Sequence, residues 1–428
     1  MIKKFISQEK EIIEHVFWRA LQVFGKQGIS FLIFFLSAAF LTPEEFGLYN
    51  IIVAYMFLFL VFIDFGLSTA VSKFVAEHAE KKKKINAILF TSALLILFIF
   101  IAITLVLVIF GSFFFGDKYK YILMFLPFLL FAPLSFLYDG VFRGLGKFKI
   151  LSMVFVCVGL VSLIAVYFLV KYFGLAGAIQ AQNLLYFLLA LSLFFLHKGF
   201  VAKVDIPLMK KVLSYSLIVG LSSLGYFLFT RVNLLVLSWF NLVVEAGYYE
   251  LVNKIVTLLI VAFTVLAQVL APKVTRLYAK GKKQEVLAMY KRYMLLCFAG
   301  GTFFVLFVFL FFPPLLKHFL TQYNTPEVLL SMNLLLPILV SQALATVAAT
   351  GFSIATGHAK LNMEFLWIFG LVNCIIGPLL VWQFGYIGII FATLSVKIIS
   401  DALFVGIYYY KLKEDKEEKK EKKAKKTF

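Results

Sequence analysis

A set of charged residues lies inside stretches of sequence that are otherwise apolar. The set consists of Lys26, Asp64, Arg231, Glu250, Lys254, Lys397 and Asp401. A charge at the centre of a bilayer costs roughly 2.5–3.5 kcal/mol on insertion scales, so such residues usually face protein or water and mark substrate or ion pathways. The contrast is greatest in LGYFLFTRVNLLVLSWF, residues 224–240, where Arg231 is the one charged residue.

The signs of these charges indicate the kind of ligand. Lys26, Arg231 and Lys254 outnumber Asp64, and adding Glu250 leaves the set net positive. Arginine presents a planar fork of donors that suits phosphate oxygens, and lysine adds a point charge. We therefore expect these three cations to bind an anion. A site for cationic compounds would instead favour acidic and aromatic groups.

Two roles are open for the acidic residues of this set. Asp64 could bind a proton or Na⁺ and couple transport to an ion gradient, or it could be the counter-ion of Arg231 or Lys26. The same two roles are open for Glu250. The sequence predicts no other cofactor than these coupling ions.

The remaining polar and sulfur-containing side chains predict no catalytic centre. Lys397 and Asp401 are four residues apart and form a secondary polar pair that can neutralise itself. Cys157, Cys297 and Cys374 are scattered through apolar runs, so we expect buried small side chains and no metal site. No stretch combines a nucleophile with a base, and the protein is predicted not to be an enzyme.

The chain as a whole has the composition of a membrane protein. Of its 428 residues, 62% are hydrophobic and 15% are charged. Apolar runs long enough to cross a bilayer recur throughout, and a soluble protein could not bury so many helices that are apolar all round. We predict an all-α, polytopic membrane protein without a signal peptide. About twelve spans are expected, near 14–40, 46–72, 85–112, 119–139, 150–170, 174–196, 211–240, 246–271, 292–312, 327–353, 361–383 and 386–410.

Lysine and arginine between these spans fall mostly on the side of the N-terminus. This asymmetry predicts that both termini are cytoplasmic. It also accounts for the net charge of +19 without nucleic acid, for which the short loops carry no binding motif. The tail KLKEDKEEKKEKKAKK is expected to be a solvated extension, with anionic lipid headgroups as the alternative partner.

The two halves of the sequence resemble each other at a nearly constant spacing. The matching pairs are Gly47 with Gly247, Tyr49 with Tyr249, Gly146 with Gly357, and FGLAG (173–177) with FGYIG (384–388). Each half holds an even number of spans, so the halves have the same orientation, as in many transporters. We predict six-helix lobes at 1–200 and 201–410, followed by a charged cytoplasmic tail at 411–428.

Four stretches, taken in order, resemble a known family. They are LTPEEFGLYNIIVAYMFLFLVFIDFGLSTAVSKFVAE (41–77), FRGLGKFK (142–149), EAGYYELVNKI (245–255) and LAPKVTRLYAKGKKQE (270–285). They are similar to polysaccharide-lipid flippases, which form one branch of the multidrug/oligosaccharidyl-lipid/polysaccharide exporter (MOP) superfamily. The resemblance covers nearly the whole chain, and the twelve expected spans suit the O-antigen and capsule branch.

This resemblance implies two six-helix lobes arranged as a V around a central cavity. Spans 1, 2, 7 and 8 would line that cavity, and these are the spans that carry Lys26, Asp64, Arg231 and Lys254. The family moves a polyprenyl-linked glycan from the cytoplasmic to the outer leaflet of the cell membrane. Membrane lipids, and glycosyltransferases or a polymerase of the same pathway, would then be its partners.

The leading hypothesis is therefore a flippase that moves a polyprenyl-(di)phosphate-linked oligosaccharide by alternating access. Two alternatives stay open. The first is a cation-coupled multidrug or metabolite exporter of the same superfamily, in which Asp64 and Glu250 would bind substrate or ion. The second is a membrane scaffold for glycan-assembly enzymes that transports nothing itself.

Overall fold

The computed structural model describes residue 18, residues 25–197 and residues 205–424, with side chains as far as residue 414. Every regular element in these ranges is helical. The helices are α1 (Gly25–Phe40), α2 (Pro43–Asp64), α3 (Leu67–Glu77), α4 (Lys82–Phe115), α5 (Tyr119–Met124), α6 (Leu126–Gly144), α7 (Phe148–His197), α8 (Ile206–Thr230), α9 (Val232–Trp239), α10 (Val243–Ala279), α11 (Lys283–Phe319), α12 (Pro326–Leu335), α13 (Pro337–Thr346), α14 (Ala359–Phe384) and α15 (Tyr386–Ala424). A π-helical turn, Val347–Ser353, links α13 to the segment before α14.

The helices confirm an all-α, multi-pass membrane protein. In the described residues, 10 helical stretches are long and apolar enough to cross a bilayer, and α1 is a shorter apolar helix within the first predicted span. The 50-residue α7 bends at Gly174 and covers the fifth and sixth predicted spans. Large apolar side chains also point outward, such as Phe113 at 84% exposure, as lipid contact requires.

Four of the predicted spans are interrupted rather than continuous, and in the fourth span the interruption lies at Phe125, between α5 and α6. The second is broken between α2 and α3, where Phe65 and Gly66 have φ values of 32° and 76°. The seventh is broken between α8 and α9 at Arg231, whose φ of −122° leaves the helical region. The tenth divides before Pro337, because proline has no N–H to continue the ladder. The predicted span bounds did not include these interruptions.

Two glycine turns show that the internal repeat extends to the backbone. Gly174 has φ 53° and ψ −131°, and Gly385, its partner in the second half, has φ 58° and ψ −138°. Three residues after each turn, a Cβ on Gly177 or Gly388 would overlap a carbonyl oxygen of the preceding helix. The same sequence pattern therefore builds the same tight hairpin twice.

Close helix contacts in the N-terminal half depend on glycine. Gly140 and Gly144, four residues apart on α6, lie against the carbonyl groups of Ser68 and Ser72 on α3. Small residues at this spacing let two membrane helices approach closely. The start of α2 is capped reciprocally, because Thr42 N–H donates to the Glu45 carboxylate at 3.1 Å and Glu45 N–H donates to the Thr42 hydroxyl at 3.2 Å.

The contacts divide the chain into two compact units, one ending at Phe227 and the other beginning at Leu228. The predicted lobes at 1–200 and 201–410 stay a prediction drawn from the repeat. Helix α15 continues to Ala424, into the segment predicted as a tail, and residues 425–428 lie outside the described residues. Among the cysteines, Cys297 is buried as predicted, whereas Cys157 is exposed because its face of α7 is not covered.

Candidate functional site

Arg231 lies at the junction of α8 and α9 and forms an ion pair. Its Nη1 donates to Oε1 of Glu250 on α10 at 2.7 Å. The arginine side chain is 32% exposed and that of the glutamate is 4% exposed. The short distance is typical of a charge-assisted hydrogen bond. Such a pair gives a buried carboxylate a compensating charge, while the arginine side chain is partly exposed.

The pair continues into a chain of polar contacts. Asn253, one turn along α10, donates its Nδ2 to the second oxygen of Glu250 at 3.2 Å. Lys397 on α15 donates its Nζ to the Asn253 side-chain oxygen at 3.5 Å, and only 6% of Lys397 is exposed. Arg231, Glu250, Asn253 and Lys397 thus join three helices through their side chains.

Two more charged residues belong to this group. Lys254 interacts electrostatically with Glu250 and Arg231. Asp401, which is buried, accepts a 2.8 Å hydrogen bond from the Ser341 hydroxyl. The four-residue spacing of Lys397 and Asp401 predicts a direct pair, but the hydrogen bonds of each go to a different partner. We call Arg231, Glu250, Asn253, Lys254, Lys397 and Asp401 the charge cluster. Its three cations and two carboxylates leave it net positive.

The other two predicted site residues belong to the N-terminal unit. The Lys26 ammonium lies over the rings of Phe136 and Phe155, 5.5 and 5.1 Å from their centroids. These distances are typical of cation–π contact. Asp64 accepts hydrogen bonds from the backbone N–H and the hydroxyl of Ser68, at 3.2 and 3.1 Å. Its carboxylate therefore caps the first turn of α3, directly after the break in the second span.

Several hydroxyl groups of α8 and α10 bond within their own helix. The donors, with their carbonyl acceptors, are Ser216 to Leu213, Ser223 to Val219, Thr257 to Asn253 and Thr264 to Ile260. A hydroxyl that donates to the preceding turn has met its hydrogen-bonding requirement locally. These hydroxyl groups therefore differ from the charge cluster, whose side-chain contacts run between helices.

Sequence reasoning missed a second group of polar residues beside the charge cluster. Asn233 donates to the Tyr249 hydroxyl at 3.0 Å and to the Thr393 hydroxyl at 2.8 Å, and the two hydroxyls lie 3.1 Å apart. All three residues are buried. They join α9, α10 and α15 next to Arg231 and Glu250. The signal in the sequence was that Asn233 and Tyr249 closely adjoin two intramembrane charges.

The described residues contain no group of three or more His, Cys, Asp or Glu side chains that could hold a metal ion. The chemistry available in the charge cluster is therefore that of its own donors. A guanidinium and two ammonium groups can bind an anion through charge-assisted hydrogen bonds. The two buried carboxylates compete for those same donors.

Comparison with known proteins gives a family match and distant relatives. Residues 12–278 match the model of the polysaccharide biosynthesis protein family. The chain is 25% identical over 411 residues to an uncharacterized membrane protein of Methanocaldococcus jannaschii, covering 89% of this chain and 94% of that one. It is 22% identical over 288 residues to a protein of Escherichia coli K12 named "Putative O-antigen transporter", covering 65% and 69% of the two chains.

Solved structures of low sequence identity share the fold. A multidrug resistance MATE family transporter of the MOP superfamily, in an inward-facing conformation, matches with a TM-score of 0.79 at 16% identity, over 91% of this chain and 96% of that one. A MOP superfamily transporter from Pyrococcus furiosus matches with a TM-score of 0.64 at 16% identity, over 93% and 96%. That transporter is described as having a binding pocket of reversed polarity that suggests a different function.

Proposed function

Because the chain belongs to the polysaccharide biosynthesis protein family, in the polysaccharide transporter branch of the MOP superfamily, and is a multi-pass membrane transporter, we propose that it is a flippase. Its substrate is an oligosaccharide linked to a polyprenyl phosphate or diphosphate. The substrate moves from the cytoplasmic to the outer leaflet of the cell membrane, for the assembly of a surface glycan. Membrane transport follows from the family, and the substrate is our inference from the charge cluster.

The observation that carries this proposal is the net positive charge of the cluster around Arg231. Buried or partly buried charges interact more strongly than charges in water, so a surplus cation in this setting favours an anionic ligand. The guanidinium of Arg231 can hold two phosphate oxygens at once, and Lys254 adds a second positive charge nearby. Lys26 is the third contact that the sequence predicts.

The proposed transport cycle needs no covalent chemistry. Arg231, Lys254 and Lys26 bind the phosphate groups, while the polyprenyl chain stays in the hydrocarbon of the bilayer, where its transfer to water would be unfavourable. Alternating access then exposes the bound headgroup to the other side. We further propose that both termini are cytoplasmic, and that glycosyltransferases or a polymerase of the pathway supply and consume the substrate. H⁺ or Na⁺ coupling through Asp64 is the proposed energy source.

The test is movement of a fluorescent polyprenyl-diphosphate oligosaccharide in proteoliposomes that contain the full chain. We expect transport by the wild type and a loss of at least about tenfold, or about 1.4 kcal/mol, when Arg231, Lys26 and Lys254 are all changed to alanine. Lys171→Ala is the matched control, because Lys171 is an exposed lysine three residues before the bend of α7 at Gly174, and it is not one of the predicted site residues.

Three outcomes would count against the proposal. Wild-type rates in the triple variant would remove these cations from the substrate site. Efflux of a cationic dye that depends on Asp64, without movement of the glycolipid, would instead favour the multidrug exporter. Unchanged glycan assembly in cells that carry the triple variant, combined with its loss after trimming of the cytoplasmic loops, would favour the scaffold.

A further inference from the structure

The Arg231–Glu250 pair is asymmetric in its accessibility. About a third of the arginine side chain is exposed, whereas the glutamate side chain is 4% exposed. An incoming anion would therefore reach the arginine side chain more readily than the carboxylate. The more accessible residue of the pair is the one whose charge can bind phosphate.

Glu250 already has other partners on its buried side. Asn253 Nδ2 donates to its second oxygen at 3.2 Å, and Lys397 stands behind Asn253 at 3.5 Å. Lys254 attracts the same carboxylate. The glutamate would therefore keep a hydrogen bond and two nearby positive charges if Arg231 moved to another anion. This arrangement makes the ion pair exchangeable, which a carboxylate paired to arginine alone would not be.

The backbone at Arg231 also differs from that of an ordinary helical residue. Helix α8 ends at Thr230 and α9 begins at Val232, so Arg231 lies outside both. Its bond to Glu250 therefore starts from a residue that is not part of a regular helical surface. Carboxylate and phosphate oxygens are similar acceptors for a guanidinium, so the two anions compete for the Nη1 donor that Glu250 holds.

We infer that Glu250 is the resident anion of Arg231, and that it occupies in the empty transporter the place that a substrate phosphate takes during transport. This inference rests on the proposed function, because it names the part of that substrate which Arg231 binds. Glu250 is then a specificity-determining residue. A headgroup must displace a carboxylate of one negative charge, so a diphosphate carrier with two charges competes better than a monophosphate carrier with one.

The experiment compares binding of two synthetic lipids, a polyprenyl diphosphate sugar and the corresponding polyprenyl monophosphate sugar, to the purified full chain by native mass spectrometry. We expect the wild type to prefer the diphosphate lipid by about tenfold or more. Glu250→Gln removes the competing charge, so it should tighten binding of the monophosphate lipid by about tenfold. The preference for the diphosphate lipid over the monophosphate lipid should then become smaller.

Two further variants distinguish displacement of the Glu250 carboxylate from a general effect of the net charge of the charge cluster. Asp401→Asn removes the same charge from the charge cluster at a residue bonded to Ser341 rather than to Arg231, and should tighten binding by about threefold at most. Glu250→Asp keeps the charge but shortens the side chain, so it should tighten binding to an intermediate degree. This variant also serves if Glu250→Gln does not fold.

The outcomes separate this inference from the proposed function. If the wild type binds the diphosphate lipid but Glu250→Gln tightens binding no more than Asp401→Asn, or if Glu250→Asp binds like the wild type, the displacement role is overturned while the flippase proposal stands. If neither lipid binds to the wild type or to any variant, the proposed substrate and this role are both overturned.

Discussion

At the scale of single residues, the partner of each intramembrane charge decides what that charge can do. Arg231 is bonded to Glu250, and Asp64 is bonded to Ser68. The aspartate is thus engaged in capping α3, whereas the arginine is held by a residue that another anion could replace. Two residues that look equally anomalous in the sequence have different surroundings.

The first prediction concerns the stability that the Arg231–Glu250 pair contributes. Arg231→Ala removes the charge-assisted hydrogen bond of a buried carboxylate, and breaking a fully buried pair costs about 3–5 kcal/mol. Because the arginine side chain is 32% exposed and Asn253 still donates to Glu250, we expect a smaller loss of about 2–3 kcal/mol in the free energy of unfolding. Denaturant unfolding in detergent micelles measures this change.

A double variant provides the control for this prediction. Arg231→Leu combined with Glu250→Leu removes both charges, so most of the lost stability should return. If Arg231→Ala is as stable as the wild type, or if the double variant is less stable than Arg231→Ala, the pair does not stabilise the fold in this way.

At the scale of elements, broken helices bring the polar groups together. Discontinuous helices in transporters place backbone and side-chain groups beside substrates at the level of the membrane. Here Asp64 ends α2 directly before the first break, and Arg231 forms the break between α8 and α9. The hydrophobic pattern did not reveal either break, because most residues around both are apolar and a hydropathy average runs across them.

The second prediction concerns the packing of α8 on the first break. A Cβ on Gly220 would meet the Phe65 carbonyl oxygen at 2.6 Å, and a Cβ on Gly66 would meet the Gly220 nitrogen at 2.6 Å. We expect Gly220→Ala to lower the free energy of unfolding by about 1–3 kcal/mol through overpacking. Thermal unfolding in detergent, followed by circular dichroism, measures the effect.

Gly406→Ala is the matched control for Gly220→Ala. Gly406 lies in α15, and a Cβ there would have no heavy atom within 4 Å. This change should be neutral or stabilise by up to about 1 kcal/mol, because alanine favours helix more than glycine does. Equal effects of the two substitutions would contradict the close contact between α8 and Phe65.

At the scale of the whole molecule, two compact units and an internal repeat organise the chain. The unit boundary falls between Phe227 and Leu228, just before Arg231. Helix α8 therefore belongs almost wholly to the N-terminal unit by its contacts, and α9 belongs to the C-terminal unit. The fold match to a solved MOP superfamily structure covers 91% of the chain and therefore includes helices of both units.

The third prediction follows from the repeat. Gly174 and Gly385 have nearly the same backbone angles, in a region that other residues rarely adopt. Alanine at either position should destabilise its own unit by about 1–3 kcal/mol through backbone strain. The cost at Gly174 should be the larger, because a Cβ there also meets the Glu45 carboxylate at 3.2 Å, whereas one at Gly385 meets nothing within 4 Å.

Hydrogen exchange of α7 and α14 in the two variants measures this effect separately in each half. Gly28→Ala in α1, where a Cβ would have open space, controls for a general effect of alanine. Protection that is lost in one variant and kept in the other would show that the two turns do not carry equivalent strain.

The sequence by itself determined the class of the protein, its membrane helices, its repeat and its family. All four depend on local runs of apolar residues or on spacing along the chain, and such patterns can be recognised without knowing which helices touch. The excess of positive over negative charges inside the spans was visible for the same reason. Tyr249 and Gly385 were visible as repeat matches, although their contacts were not.

Only the tertiary structure decided which charges meet. Arg231 and Glu250 are 19 residues apart, one before α9 and the other on α10. Asn253 and Lys397 are 144 residues apart. Such contacts depend on how helices pack, and packing is the sum of many weak contacts that no single residue type encodes. The same composition could have paired Arg231 with Asp64, and the packing of α9 on α10 selected Glu250 instead.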